Sequence, residues 1–318
     1  MSKKSVMVEP DTWHRAMGVM IGGTLVVTLL FLAFVWPTIT SKVKDMPLAV
    51  VGPGPTVEQI KSKLSQSQAP FEVETLSNRG EAIQQIKERE VFGAIIIGQQ
   101  PEILTASANG PAVSQILSQV GAQMGGQDGH APQITDVVPL VDWDKRGLGI
   151  TTASLPLVFG GIIGGVLASL AVVGLKKRLA VVAGYSVLAG MTIALIMQVW
   201  LDILPGNYLA NSVVITLQLL ATSTLVAGMF SLFGRPGIFA TILLTIFIAN
   251  PLSGATQPKQ FLLEPWGDVG QLFVPGAGST LLRNAAYFPD ASITAPVLVL
   301  LFWIVLGLGL FALAKRKA

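Results

Sequence analysis

Six stretches of the chain are each apolar for about 20 residues, the length needed to cross roughly 30 Å of bilayer hydrocarbon. They lie at residues 17–36, 150–175, 179–203, 210–233, 236–252 and 292–314. Hydrophobic residues make up 51% of the 318 positions and charged residues only 12%, about half the charged fraction of an ordinary soluble domain. The sequence therefore predicts a polytopic α-helical membrane protein with six transmembrane helices.

The basic residues next to these stretches predict the orientation. They occupy the short segments that six spans would place on one side of the membrane, whereas the loop "DILPGNYLANS" on the other side has none. The residues concerned are Lys3, Lys4, Arg15, Lys176, Lys177, Arg178, Arg235, Lys315, Arg316 and Lys317. By the positive-inside rule both termini are cytoplasmic, and we expect a multi-pass protein of a bacterial plasma membrane. The net charge of +3 then reflects topology signals, not nucleic-acid binding.

The first span is predicted to remain as an anchor, because its apolar run exceeds that of a signal peptide and no small-x-small cleavage site follows it. Residues 1–16 before it predict a cytoplasmic interfacial helix, and residues 315–318 a basic cytoplasmic tail. Residues 38–148 alternate strand and helix patterns, which predicts a small extracytoplasmic α/β domain between the first two spans. Its runs "LAVVG" and "AIIIG" are apolar throughout, as in central parallel strands.

The spans contain almost no ionisable residues, and the fourth is the richest in polar ones. Its polar side chains have two interpretations: hydrogen bonds between helices, which we favour, or a weakly polar lining of a substrate path. The candidate path residues are Asn211, Thr216, Gln218 and Thr222. A proton-coupled carrier would need acidic or basic groups in its spans, which this pattern does not provide.

The second span contains two overlapping G-x-x-x-G pairs, Gly160/Gly164 and Gly161/Gly165. Glycines one turn apart allow two helix backbones to approach closely. The pattern fits either a homodimer interface or a seam inside one bundle, and the sequence does not distinguish them.

Between the last two spans, residues 253–291 are apolar but broken by prolines and glycines, so no helix of ordinary length is expected there. Irregular backbone at membrane depth is tolerated only where protein buries it or a cavity adjoins it. We therefore predict short re-entrant or interfacial helices that cover the bundle from outside and act as a gate. The candidate gate residues are Pro258, Pro265, Trp266, Pro275 and Arg283.

Chemical motifs are absent from the sequence. The chain has no Cys and two His, and it has no H-E-x-x-H, G-x-S-x-G or Walker A motif, so we expect neither an enzyme nor a metal or cofactor site. Asp142 and Asp144 precede the second span; they could hold a cation, but capping the start of the span is the favoured interpretation.

One span, an α/β domain and five further spans resemble the ABC-2 type permeases. The similarity is closest to the phage-infection-protein (YhgE/Pip-like) group and its actinobacterial relatives. It is carried by "MPLAVVG" (46–52), "REVFGAIIIG" (89–98) and the loop "NPLSGATQPKQFLLEPWGDVGQLFVPGAGSTLLRNAAYF". The resemblance implies a six-helix subunit that often pairs with a second, with an ATPase as a separate partner. However, the loop "GLKKRLA" leaves little room for the usual coupling helix.

Two functions follow as hypotheses. The leading one is a permease subunit that exports or translocates an apolar or amphipathic substrate, lipid-like or drug-like. The alternative is a non-transporting surface receptor or a scaffold for an envelope protein complex, with residues 38–148 as the binding module. In both cases the lipid bilayer is the protein's environment.

Overall fold

A computed structural model of the protein describes residues 13–41, 45–66, 70–128 and 132–317. Helix accounts for 70% of the structure. Within the described residues, five helices are long and apolar enough to cross a membrane. They are Trp13–Pro37, Leu148–Ala171, Leu175–Trp200, Tyr208–Phe233 and Thr294–Ala314. This pattern fits a polytopic helical membrane protein.

The first helix, α1 (Trp13–Thr40), begins before the predicted span 17–36. A separate interfacial helix was predicted at residues 1–16. Residues 1–12 of it lie outside the described residues, and residues 13–16 belong to α1. Nothing between Trp13 and the apolar run breaks a helix, so the two segments form one element. Most of its large apolar side chains are exposed, as expected of a lipid-facing helix.

The α/β domain follows α1 and contains three helices and five strands. Its elements are β1 (Met46–Val51), α2 (Gly54–Gln66), β2 (Phe71–Leu76), α3 (Arg79–Glu88), β3 (Gly93–Ile96), β4 (Glu102–Thr105), α4 (Pro111–Asp128) and β5 (Gln133–Asp136). The strand order is β2-β1-β3-β4-β5. All neighbouring pairs are parallel except β3 with β4.

The prediction of a small α/β domain with a mostly parallel sheet is confirmed. The two apolar runs form β1 and β3, which pair in parallel through Ala49↔Ala94 and Val51↔Ile96. Nearly all their side chains are buried. One connection is too short for a helical crossover, since β3 and β4 are separated only by residues 97–101, and these two strands are antiparallel.

Four helical segments of the bundle come next. They are α5 (Leu148–Ala171), α6 (Leu175–Leu195) with a π-helical end at Ile196–Trp200, α7 (Tyr208–Phe233), and α8 (Arg235–Ile242) with a π-helical end at Leu243–Ala249. Helix α7 is central and packs against α5, α6 and α8. The predicted cap is confirmed: Asp144 accepts hydrogen bonds from the amides of Leu148 (2.7 Å) and Gly149 (2.6 Å) at the start of α5.

Residues 253–291, called the cover segment from here on, fold into short helices as predicted. They are a 3₁₀ turn at Lys259–Phe261, α9 (Trp266–Gln271) and α10 (Val274–Tyr287). The last helix, α11 (Thr294–Lys317), packs against α7 and α10. The basic residues predicted as a separate tail at 315–317 continue the backbone of α11, and residue 318 lies outside the described residues.

The predicted fifth span, 236–252, differs from the others. The apolar helix Arg235–Ala249 has 8 α-helical and 7 π-helical residues, or about 22 Å at 1.5 Å per residue, and it is shorter than the five candidate spans. Asn250 still has helical backbone, and the helix ends there because Pro251 has no amide hydrogen with which to continue the hydrogen-bond pattern. It begins against Met229 near the end of α7 and ends beside Phe273 of the cover segment.

Candidate functional site

The polar residues of α7 are used in packing against its neighbours. Asn211 donates from Nδ2 to Gln198 Oε1 (3.1 Å) and to the Pro205 carbonyl (2.9 Å). Gln218 donates from Nε2 to the carbonyl of Gly278 in α10 (3.0 Å). These contacts match the favoured interpretation, hydrogen bonding between elements of the bundle.

Two threonines of the candidate path fill space left by glycines on other helices. Thr222 lies against Gly161 of α5, and Thr216 lies against Gly190 of α6. Thr222 also borders a crevice of about 10 Å³, which has room for no more than one water molecule. The structure therefore places these side chains at helix contacts around α7 and shows a closed bundle at Thr222.

The four glycines of α5 face the inside of the bundle. A Cβ at Gly161 would overlap Thr222, and one at Gly164 would overlap the ring of Tyr185. Gly160 accepts a hydrogen bond from the Tyr185 hydroxyl at 2.8 Å, and Gly165 lies against Val226. These glycines form a seam within one subunit, which resolves the alternative that the sequence left open.

Three of the four prolines of the cover segment stand at the starts of its helices, and the fourth, Pro289, follows the end of α10. Pro258 precedes the 3₁₀ turn, Pro265 is the N-cap of α9, and Pro275 stands in the first turn of α10. A missing amide hydrogen has no effect at a helix start, where that group has no intrahelical partner. Trp266 begins α9 and is 40% exposed.

One side of the cover segment packs on the bundle. Besides the Gln218 hydrogen bond, Phe273 stacks on Trp303 of α11 with ring centroids 5.9 Å apart. Trp303 donates from Nε1 to the Leu272 carbonyl at 2.8 Å. The single hydroxyl hydrogen of Thr151 in α5 is shared between the carbonyls of Ala255 (3.2 Å) and Gly147 (3.1 Å). The segment is thus hydrogen-bonded to α5, α7 and α11.

The other side of the cover segment completes the cores of the α/β domain. Phe288 is fully buried in a cluster with Ala49 and Leu104 of the sheet. Phe261 joins the second cluster, with Leu48 and Phe92. The α/β domain and the bundle therefore share one packed layer, the cover segment.

A cavity of about 360 Å³ lies between the α/β domain, the cover segment and the start of α11. Arg89 and Arg283 both line it. Arg89 follows α3 in the left-handed conformation (φ 63°). It donates from Nε to Asn109 Oδ1 at 3.0 Å and from Nη1 to Asn284 Oδ1, and its guanidinium lies 5.4 Å from the centre of the Phe288 ring.

The two arginines affect each other. Both arginines are half-buried, and both line the cavity. Burial lowers the pKa of Arg89 to about 9, and the positive charge of Arg283 adds to the decrease. Burial also lowers the pKa of Arg283. Arg89 therefore stays charged at neutral pH, next to a second cation.

Of the predicted gate residues, only Pro258 and Arg283 border this cavity. Pro265 lines a separate acidic crevice on the far side of the 3₁₀ turn, together with Asp268. Arg89 and Asn109 were not predicted, since they lie in the α/β domain and nothing in the sequence places them near residue 283. Among the described residues, no group of three or more His, Cys, Asp or Glu could hold a metal ion.

Comparison with known proteins adds no identification: no family model matches the chain, and no curated protein matches it.

Proposed function

We propose that the chain is a permease subunit of the ABC-2-like kind that exports or translocates an apolar or amphipathic substrate. The observation that carries the proposal is the position of the cover segment, which packs on the α/β domain through Phe288 and on the central helix α7 through Gln218. A movement of the α/β domain would therefore displace the cover segment and reach the middle of the bundle.

The proposal includes six spans with both termini cytoplasmic. Its support is the separation of charge along the bundle: Arg178 contacts Ser231 near the end of α7 (2.7 Å) and Arg235 begins α8 there, whereas the α/β domain packs at the opposite end. The helix Arg235–Ala249 runs between these two ends. It is about 8 Å shorter than the usual hydrocarbon thickness, a mismatch that local thinning of the bilayer accommodates.

The route for substrate would open where helices α6 and α8 lose α-helical geometry. Both end in π-helical turns, at Ile196–Trp200 and Leu243–Ala249, and such turns often mark functional positions in helices. The second of these turns contributes Leu244, Thr245 and Ala249 to the narrow crevice at Thr222, whose other side is Phe273 of the cover segment. Lifting the cover segment would widen this crevice.

Energy would come from a separate ATPase subunit, since the chain has no Walker A motif. The connection between α5 and α6 consists only of residues 172–174. An ATPase would therefore need to contact the first turns of α6 and α8, where Lys176, Lys177 and Arg235 lie.

A second candidate, a receptor or scaffold that does not transport, is favoured by the tight packing around α7. In that case the α/β domain would bind an envelope protein and the bundle would serve as its anchor.

The test is to lock the cover segment onto α7 with a disulfide. A Cβ built on Gly278 lies 2.5 Å from Gln218 Cγ, so the two Cβ atoms of a Gln218→Cys/Gly278→Cys pair lie within about 4 Å, as a disulfide requires. The chain has no other cysteine. We expect uptake of a fluorescent phospholipid analogue by energised inverted vesicles to stop on oxidation and to return on reduction.

The two single-cysteine variants are the controls and should transport at the same rate in both redox states. Transport by the oxidised pair at the rate of the reduced pair would rule out the gate. The absence of any energised uptake by the wild-type protein would favour the receptor or scaffold.

A further inference from the structure

Two arginines, Arg89 and Arg283, line the cavity between the α/β domain and the cover segment, and neither forms an ion pair with a carboxylate of the described residues. Arg89 uses two of its five N–H donors on the side-chain oxygens of Asn109 and Asn284, which are neutral. Arg283 forms no hydrogen bond or ion pair with any described residue. Like charges held close together in a buried site are unfavourable unless an opposite charge joins them.

A third donor in the same wall also lacks a partner. Asn109 is 3% exposed, and its Nδ2 makes no hydrogen bond within the described part of the chain. Its Oδ1 is already occupied by Arg89. Buried donors are nearly always paired in native proteins, so this amide is left to pair with an acceptor that enters the cavity.

The carboxylates that border the cavity do not supply that acceptor. Glu90 is exposed, and Glu88 accepts a hydrogen bond from Gln84 at 2.7 Å. The one carboxylate paired with a cavity cation is Asp268, which lies 2.7 Å from Lys259. Among the described residues, no ion pair joins either arginine to a carboxylate.

Part of the cavity lining is apolar and includes residues of a candidate membrane span. It contains Leu272 and Ala277 of the cover segment and Pro296 and Val299 in the first turns of α11, a candidate span. Leu272 is 61% exposed, so an apolar surface at the mouth of the cavity is accessible beside the first turns of this candidate span. The cavity volume of about 360 Å³ falls in the range of small-molecule binding sites.

We infer that this cavity binds a phosphate-type oxyanion, with Arg89, Arg283 and the Asn109 amide as its donors and with the apolar wall available to the hydrocarbon part of an amphiphile. Arginine side chains present planar N–H donors that match phosphate oxygens. The site goes beyond the proposed transport function and does not depend on it, because binding would occur in a permease and in a receptor alike.

The experiment uses the full-length protein and the variant Arg283→Gln. Thermal unfolding is measured in micelles of a maltoside detergent, which contains no phosphate, with and without inorganic phosphate at constant ionic strength, and in the same micelles with added phosphatidylglycerol. We expect an anion-dependent rise in Tm for the wild-type protein and no such rise for Arg283→Gln. The apparent affinity of Arg283→Gln for the anion should be at least tenfold lower than that of the wild-type protein, as expected for loss of a charge-assisted contact.

The matched control is Arg235→Gln, which removes the same charge from an exposed position at the other end of the bundle; it should keep the full response. Without added anion, Arg283→Gln should unfold at the same temperature as the wild-type protein or higher, because it removes a repulsion and breaks no hydrogen bond. Arg89→Lys, which keeps the charge but not the planar donor group, should give a reduced response.

Comparison of inorganic phosphate with phosphatidylglycerol identifies the source of the oxyanion. A response to phosphatidylglycerol alone supports a lipid headgroup, a response to phosphate alone supports a soluble anion, and a response to both supports the shared chemistry. The inference is overturned if the wild-type protein responds to neither, if Arg283→Gln responds as the wild type does, or if Arg283→Gln is destabilised without anion. These readouts do not involve transport, so they are independent of the disulfide experiment.

Discussion

Replacement of Phe288 by alanine tests whether the cover segment is part of the folded α/β domain. The Phe288 side chain is fully buried among sheet residues and is also covered by the guanidinium of Arg89 at 5.4 Å. Truncation of a buried phenylalanine costs about 3–5 kcal/mol, and the lost cation–π contact adds about 0.5–2 kcal/mol. For a unit of about 100 residues, each kcal/mol lowers Tm by about 4–8 °C. We therefore expect a decrease of at least about 12 °C.

The assay is thermal unfolding of the purified protein, combined with protease accessibility of the α/β domain. Phe302→Ala is the control, because Phe302 is 59% exposed on α11 and its edge contact is with Trp303 of the same helix, outside the α/β domain. The reasoning would be refuted if Phe288→Ala lowered Tm no more than Phe302→Ala does. That result would mean that the α/β domain folds without help from the cover segment.

Two further predictions concern the bundle and the sheet. Gly164→Ala should lower Tm by several degrees because its Cβ overlaps the ring of Tyr185, whereas Gly184→Ala on α6, which has open space around it, should leave Tm unchanged or raise it. Arg79 donates to Glu102 at 2.6 Å, and this hydrogen bond lowers the pKa of the Glu102 carboxyl below its usual value of 4.5. Because a lowered pKa stabilises the fold only while the group is ionised, this stability is present above about pH 4.5 and is lost as pH falls through the folded-state pKa. Unfolding measured between pH 7 and 3 should show a smaller acid-dependent loss in Arg79→Gln than in the wild-type protein, and an identical pH profile would exclude this role.

Local patterns were sufficient to predict the α/β domain. Strands β1 and β3 have continuous apolar runs because both faces of the sheet are covered, and Asp144 stands at the spacing that lets a carboxylate cap α5. Each of these features depends on residues close together in the chain.

Features that depend on distant residues were not predicted. Arg89 and Arg283 are 194 positions apart, and they share a cavity only because the cover segment folds back over the sheet. The glycine pairs of α5 were ambiguous for the same reason, since Tyr185 and Thr222, which fill the space beside them, belong to other helices. The length of the fifth span was overestimated because the apolar residues Pro251 and Leu252 were counted in it, whereas the helix ends at Ala249 with Asn250 as its C-cap.

The polar residues of the bundle and the broken backbone of its loops have one physical explanation. Loops at the domain end leave carbonyl groups without helical partners, and such groups near lipid must be satisfied by protein. Side chains of the helices supply the donors: Asn211 for Pro205, Thr151 for Ala255 and Trp303 for Leu272.

Each of these hydrogen bonds contributes about 0.5–1.5 kcal/mol. Three hydrogen bonds hold the cover segment on the bundle. Their donors are Thr151, Trp303 and Gln218, and their acceptors are the carbonyls of Ala255, Leu272 and Gly278. These three polar contacts therefore stabilise the packed position of the cover segment by about 1.5–4.5 kcal/mol. If the cover segment moves as proposed, the substrate or partner that opens the bundle must supply at least this free energy through its own contacts with the α/β domain or the cavity beside it.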